Sequence, residues 1–322
     1  MNVITQAFPP KPKFTEADVP DLSGRVCIVT GANTGVGKEV AQILYGKNAS
    51  VWVAARNEEK GRAAIDEILK KHPSSNGAVK FLQLDLADLT TISGSANEFL
   101  AAESRLDFLF NNAGVMMPSQ GSRTKQGYEL QVGTNCLGHF LFTKLLTPLL
   151  QSTAKTAPKD SVRVVWVSSS ATDVLSPKGG IDLDNLDYHQ PRSVQTQYGV
   201  SKAGNYFHAT EFAKKYRNDG IVSVPLNPGN LHTELDRTAP WWLYYARVFT
   251  TYPAIYGAYT ELFAAFSPEL TVEKSGTWVA PFGRFLPIRA DVLKGSLSET
   301  EGGTGTAEKF WAWSEEQTKP YV

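Results

Sequence analysis

Val26-Cys27-Ile28-Val29-Thr30-Gly31-Ala32-Asn33-Thr34-Gly35-Val36-Gly37 is the stretch that decides how this 322-residue chain is read. Its first five residues are apolar or β-branched without polar alternation, the pattern of a strand buried on both faces. A glycine-rich turn follows, and from Val36 to Tyr45 the apolar spacing becomes helical. An open parallel sheet holds a dinucleotide where a strand runs through glycines into a helix. The glycines let the chain turn off the strand, let backbone approach a pyrophosphate, and let the helix pack close to the sheet. The free N–H groups at the helix start then face the phosphates. The spacing here is Gly-x-x-x-Gly-x-Gly, so the position between strand and helix carries the reading more than the glycines alone.

Working outward, similar β-branched runs occur at Ser50 to Ala55, Val79 to Leu84, Leu106 to Asn111, Val162 to Ser168, Ile221 to Asn227 and Gly276 to Ala280. With the first run they predict a doubly wound, seven-stranded parallel α/β sheet, a Rossmann fold. Helical patterns lie between them: Glu58 to Lys71 behind an Asn57 cap, then the long Tyr128 to Leu150 and Gln197 to Arg217. Residues 1–22 carry four prolines and no apolar leader, and read as an extended tail before a single domain over 23–322. The strand–helix rhythm breaks over 231–275, where a helical insertion covering the substrate is expected. Residues 282–322 read as a C-terminal extension folded back on the domain.

Basic and acidic residues balance at 32 each, which argues against a nucleic-acid surface. Cys27 and Cys136 sit in apolar patterns, so no disulfide framework is expected and a reducing, cytoplasmic setting is the default. No His/Cys/Asp/Glu set has metal-ligand spacing, and no run is long enough to span a bilayer. The aromatic segment Trp241 to Phe249, followed by Tyr252, Tyr256 and Tyr259, is read as a lid over an apolar substrate; plain packing and weak membrane contact stay open. His139, beside Phe140 and Phe142, reads as a satisfied core histidine, and His232 either as a residue near the substrate mouth or as an exposed loop histidine.

The chemistry points to Tyr198 and Lys202, four residues apart on one helix face. A free tyrosine has a pKa near 10, and a neighbouring ammonium stabilises the phenolate toward the working range. Upstream, the strand ending in Ser168-Ser169-Ser170 offers a hydroxyl donor, Asn111-Asn112-Ala113-Gly114 ends another strand, and Asn135 interrupts an apolar helix. At the end of the second strand stands Arg56, where an acidic residue would select an unphosphorylated ribose. Its planar fork suits a 2′-phosphate instead, favouring NADP(H).

Taken in order, these motifs resemble the short-chain dehydrogenase/reductase family over roughly Ser23 to Thr233, with a weaker extension to Ala280. The run Gln126 to Leu130 followed by Asn135-Cys136-Leu137-Gly138-His139-Phe140 is most similar to the branch of retinol dehydrogenases, WW-domain oxidoreductases and protochlorophyllide reductases. The resemblance implies that Tyr198 is the catalytic acid/base, that Lys202 lowers its pKa and bonds the nicotinamide ribose, that Ser169 orients the substrate oxygen, and that Asn135 holds a relay water. It places Gly31, Asn33, Thr34, Gly35, Val36 and Gly37 at the pyrophosphate and Asp85 with Leu86 at the adenine. Asn112, Ala113 and Gly114 then flank the adenosine ribose, and Pro228, Gly229, Leu231 and Thr233 approach the nicotinamide carboxamide. Trp166 departs from the family's small or polar residue in its strand. The implied activity is an NADP(H)-dependent carbonyl reductase, or secondary-alcohol dehydrogenase, acting on a bulky apolar small molecule. A homodimer through the two long helices is implied as well. A non-redox enzyme and a non-catalytic dinucleotide-binding scaffold are the alternatives, and the complete Asn135, Ser169, Tyr198 and Lys202 set argues against the second.

Overall fold

A computed structural model describes residues 2–232 and 251–322. Eight strands form one sheet: β1 (Val26–Thr30), β2 (Ser50–Ala55), β3 (Ala78–Gln83), β4 (Phe108–Asn111), β5 (Val162–Val167), β6 (Ile221–Leu226), β7 (Val279–Ala280) and β8 (Arg284–Phe285). Their order is β3-β2-β1-β4-β5-β6-β7-β8. All neighbouring pairs are parallel except β7 and β8. The chain winds outward from β1 in one direction and from β4 in the other, so the loops after these two strands part and leave a crevice at their carboxyl ends.

The unbroken apolar strand runs are explained by burial on both faces. Cys27, Val29, Phe108, Phe110, Val165 and Val167 enter one core layer, while Val26, Ile28, Leu109, Val164 and Trp166, their alternating neighbours, enter the other. The first layer is covered by α2 (Gly35–Gly46), α3 (Glu58–Lys71) and α8 (Ala254–Phe266), the second by α4 (Leu89–Ala102), α5 (His139–Ala154) and α7 (Val194–Tyr216). Asn57 caps α3 by accepting from the Lys60 amide at 2.8 Å, as its residue type predicts.

Several expectations are corrected. The sheet gains an eighth, antiparallel strand, because Phe282 (φ 59°) and Gly283 (φ 76°) turn the chain back on itself. A phenylalanine in the left-handed region is no sequence signal for a turn. The expected helix from Tyr128 is not regular: Val132–Gly138 forms a wide π turn ahead of α5. Buried Glu129 accepts the amides of Gln131 and Val132 at 3.0 and 2.8 Å and starts that turn. The tail is not extended throughout, since Asn2–Ala7 forms a helix, α1. Its Gln6 is buried, donating to Asp173 at 3.1 Å and accepting from Asn227 at 2.9 Å.

The two long helices are packed in part by the end of the same chain. After the short helices α6 (Ala171–Val174) and α9 (Ala290–Ser296), the last helix, α10 (Thr306–Thr318), lies over α5 and α7. Its Phe310 stacks on the His208 ring at 4.7 Å, and Trp311 meets Phe140 edge-on at 4.8 Å. Ser314 and His208 Nε2 are 2.9 Å apart, and Tyr128 donates to Gln317 at 2.9 Å. Trp166 lies in the same layer, donating to Ser223 at 3.1 Å, so the unusual residue is absorbed by packing. Trp311→Ala should destabilise the fold by about 3 kcal/mol or more and lower the thermal midpoint by several degrees. A chain ended at Gly305 should self-associate in light scattering; a truncated chain that stays monomeric and melts like the full protein would contradict this account of α10.

Candidate active site

The crevice between β1 and β4 begins with the glycine turn. Gly31 (φ 70°) and Gly35 (φ 58°) lie in the left-handed region that side chains disfavour. A methyl group on Gly31 would come within 2.9 Å of the Ala113 backbone. One on Gly37 would overlap the Asn112 side chain. Thr34, the cap residue of α2, is extended and makes no side-chain cap bond, and Asn33 and Val36 flank it half-buried. The first amides of a twelve-residue helix are thus not taken by their own cap, which fits an anionic ligand.

Asn112 is tied to the end of β1. Its side-chain amide donates to the Thr30 carbonyl at 2.7 Å, and its backbone amide donates to the Thr30 hydroxyl at 2.9 Å. It braces the glycine turn from beneath, which is why Gly37 has no room for a side chain. Arg56 is exposed at the end of β2, its carbonyl accepting from Gln83 at 2.6 Å. Asp85 is half-buried and accepts the Ala87 amide at 2.9 Å, beside buried Leu86.

On the other side of the crevice, α7 carries Tyr198 and Lys202, both buried. The Lys202 ammonium stands 5.8 Å from the centre of the Tyr198 ring and donates to the Val167 carbonyl at 3.0 Å, at the end of β5. Burial pushes its pKa down to about 8, against the pull of Cys136 and Glu261. Asn135, in the π turn, accepts the Val115 amide at 2.8 Å and donates to the Val115 carbonyl and the Ser201 hydroxyl, both at 3.0 Å. A methyl group on Gly114 would stand 3.3 Å from Asn135 Oδ1 and 3.5 Å from Lys202 Nζ, so the three residues converge.

The three serines after β5 separate by environment. Ser168 is buried and committed, donating to the Lys202 carbonyl at 2.6 Å and lying 3.0 Å from the Thr172 hydroxyl. Ser170 caps α6 without a side-chain bond. Ser169 is half-buried, its oxygen accepting from the Ala171 amide at 3.1 Å. Past β6, Pro228 and Gly229 (φ 107°) are half-buried, and Leu231 bridges to Tyr252. Thr233 and the aromatic run Trp241 to Phe249 lie outside the described residues. Tyr252, Tyr256 and Phe282 cluster with ring centres 5.1 to 5.8 Å apart, and Phe282 stands beside Gly229.

One buried acid was not singled out in the sequence. Glu261, on α8, lies one turn beyond Gly257, where a side chain would overlap Leu231 and crowd Val36. Both carboxyl oxygens are buried with no hydrogen-bond partner among the described residues. Burial pushes the group up to about 8, with Lys202 opposing. Its helix, Ala-Ile-Tyr-Gly-Ala-Tyr-Thr-Glu-Leu-Phe-Ala-Ala-Phe, has apolar positions on either side of the glutamate, and that misfit is the one signal that could have found it.

No helix among the described residues is long and apolar enough to cross a membrane. Nor does any group of three His, Cys, Asp or Glu among them cluster as metal ligands.

Because the Glu261 pKa is raised on folding, the folded protein keeps a proton that the unfolded chain releases above about pH 4.4. Stability should therefore fall as pH rises from about 5 to 8, by up to about 1.4 kcal/mol per unit. Glu261→Gln should flatten that slope in urea titrations at several pH values; an unchanged slope would show that the carboxyl is not protonated in the fold. Lys202 acts in a separate window above pH 8, its lowered pKa making stability rise toward the ordinary lysine value.

The short chain dehydrogenase family profile matches residues 25–181. A short-chain dehydrogenase/reductase of Phomopsis amygdali is 54% identical over 100% of this chain and 97% of its own length. Another, from Neocamarosporium betae, is 48% identical over 99% of this chain and 93% of its own length. Among solved structures, an uncharacterized protein from Mycobacterium paratuberculosis is 30% identical, with a TM-score of 0.68 over 95% of this chain and 97% of its own. The NADPH-bound carbonyl reductase from chicken fatty liver shares the fold, with a TM-score of 0.64 at 20% identity over 84% and 97% of the two chains. With the fold, the glycine turn and the buried Tyr198–Lys202 pair in place, these likenesses show that the chain belongs to the short-chain dehydrogenase/reductase family.

Proposed function

We propose that this chain is an NADP(H)-dependent oxidoreductase that reduces the carbonyl of a bulky, apolar small molecule, or oxidises the corresponding secondary alcohol. The observation that carries the reading is the buried ammonium of Lys202 beside the Tyr198 ring, facing Gly114 and Asn135 at the sheet's carboxyl edge.

The turn at Gly31, Asn33, Thr34, Gly35, Val36 and Gly37 would hold the pyrophosphate, and Arg56 the 2′-phosphate. Asp85 and Leu86 would hold the adenine, Ala113 and Gly114 would line the ribose side, and Pro228, Gly229 and Leu231, with Thr233, the carboxamide side. When bound, the nicotinamide supplies or accepts the hydride at the carbonyl carbon. Tyr198 gives its proton to the carbonyl oxygen as the alcohol forms and takes it back in the reverse direction. Lys202 favours the phenolate that remains, and low surrounding polarity strengthens that attraction. Ser169 donates a hydrogen bond to the same oxygen, a role for which Ser168 is already spent on Lys202 and Thr172. Asn135 fixes the Val115 loop beside Lys202 and orders a water between the lysine and bulk solvent. The aromatic cluster of Tyr252, Tyr256 and Phe282 next to Gly229 supports an apolar substrate.

Tyr198→Phe should reduce turnover of an aromatic ketone by about 10²-fold or more while NADPH binding stays within a few-fold, read from reduced-nicotinamide absorbance and a binding titration. Turnover kept above a few per cent would remove Tyr198 from the chemistry. Arg56→Asp should swing the kcat/KM preference toward NADH by roughly tenfold or more, one lost charge-assisted contact being worth about 1.5 to 3 kcal/mol. An unchanged ratio of the two cofactors would show that Arg56 does not read the phosphate.

A further inference from the structure

His139 has no exposed surface and sits where the π turn passes into α5. A fully buried imidazole needs partners for its nitrogens, and it has two. Nδ1 stands 3.0 Å from the Asn135 carbonyl, and Nε2 stands 3.0 Å from the Thr30 hydroxyl. A carbonyl oxygen only accepts, so Nδ1 carries the proton and Nε2 presents its lone pair. The Thr30 hydroxyl then donates to Nε2 in preference to the Phe110 carbonyl at 3.1 Å, since the ring nitrogen would otherwise be buried unpaired. Its oxygen meanwhile accepts the amides of Asn112 and Ala113, each at 2.9 Å.

The backbone explains why a ring is used here. In a regular α-turn the amide of His139 would bond the Asn135 carbonyl. In this turn it bonds the Cys136 carbonyl instead, and the side chain of the same residue supplies the N–H that its backbone does not. The ring thus bonds the Asn135 carbonyl while the Asn135 side chain bonds Val115 and Ser201.

We propose that His139 is a positioning residue whose neutral imidazole bridges Asn135 to Thr30, so that the asparagine of the site and the strand end feeding the cofactor turn are held as one unit. The proposal rests on the functional reading above for the roles of Asn135 and the 31–37 turn. The Nδ1 bond serves turnover through Asn135, and the Nε2 bond serves cofactor affinity through Thr30, whose hydroxyl also anchors Asn112 and Ala113 against the turn. Burial pushes the ring pKa down to about 4, in keeping with one fixed neutral tautomer.

The first test needs no variant. In the full-length protein with ¹⁵N-labelled histidine, His139 should show a protonated Nδ1 and an unprotonated Nε2, unchanged from pH 5 to 8. A protonated Nε2, or a ring that titrates in that range, would overturn the bridge. In the second test His139→Phe, which fills the volume without the bonds, should raise the NADPH Kd at least fivefold and lower kcat on an aromatic ketone at least tenfold. His139→Asn, whose amide stands near the former Nδ1, should recover kcat to within threefold of wild type while the Kd stays raised. That split is not the outcome of simple core damage. The idea fails if His139→Phe leaves both constants within twofold, or if folded His139→Asn loses kcat without weakening NADPH. Should His139→Phe not fold, the tautomer and the asparagine variant still decide. A wild type that reduces no ketone sinks the functional reading, whereas the tautomer and the Kd still judge the bridge.

Discussion

The ammonium of Lys202 is the charge on which the rest of the crevice depends. Moving an ammonium out of water is unfavourable by several kcal/mol unless fixed dipoles replace the hydration. Here the Val167 carbonyl, at the end of β5, accepts a hydrogen bond from it at 3.0 Å, and the Tyr198 ring stands beside it. That carbonyl belongs to the last residue of β5, where the pairing with β4 has ended at Trp166 and the chain turns into the serine run. A parallel sheet puts all such ends on one edge, so the property that makes a buried lysine tolerable is a property of the fold. The same edge gathers Thr30, Asn111 and Leu226 at the ends of β1, β4 and β6.

How much of this was legible follows from how local each cause is. The strands could be read because both their faces are buried, and burial on both faces demands apolar residues at every position, as in Val26 to Thr30. The glycine turn could be read because a positive φ at Gly31 and Gly35 is a demand of the turn itself. Tyr198 and Lys202 could be paired because helix geometry alone puts residues four apart on one face. By contrast, the choice among Ser168, Ser169 and Ser170 depends on which hydroxyl meets the Lys202 carbonyl 34 residues away. No local rule separates three consecutive serines.

What local patterns left out has the same origin. Asn112 ends a strand on the edge of the crevice, but that its side-chain amide donates to the Thr30 carbonyl depends on a residue 82 positions away. The N-terminal segment looked extended because its prolines dominate the pattern, while the short helix before them is held by Gln6 reaching Asp173 and Asn227. The two long helices are read as a pairing surface from the family resemblance, and the aromatic contacts that α10 makes with them come from the far end of the same chain. Each is a long-range contact that no local pattern announces.

His139 and Glu261 show opposite solutions to burying a titratable group near one site. The histidine finds a carbonyl and a hydroxyl, one for each nitrogen, and burial makes it a rigid neutral connector. The glutamate finds no partner for either oxygen among the described residues, and burial makes it hold its proton instead. Desolvation acts on both in the same way, against the charged form, but a satisfied group adds geometry to the site while an unsatisfied one adds sensitivity to pH. The two sit on opposite faces of the sheet, on α5 and α8, and both helices pack beside the crevice between β1 and β4. Order at that crevice is therefore set from both layers of the core: on the α8 side it requires a residue without a side chain at Gly257, where any Cβ would overlap Leu231 and crowd Val36.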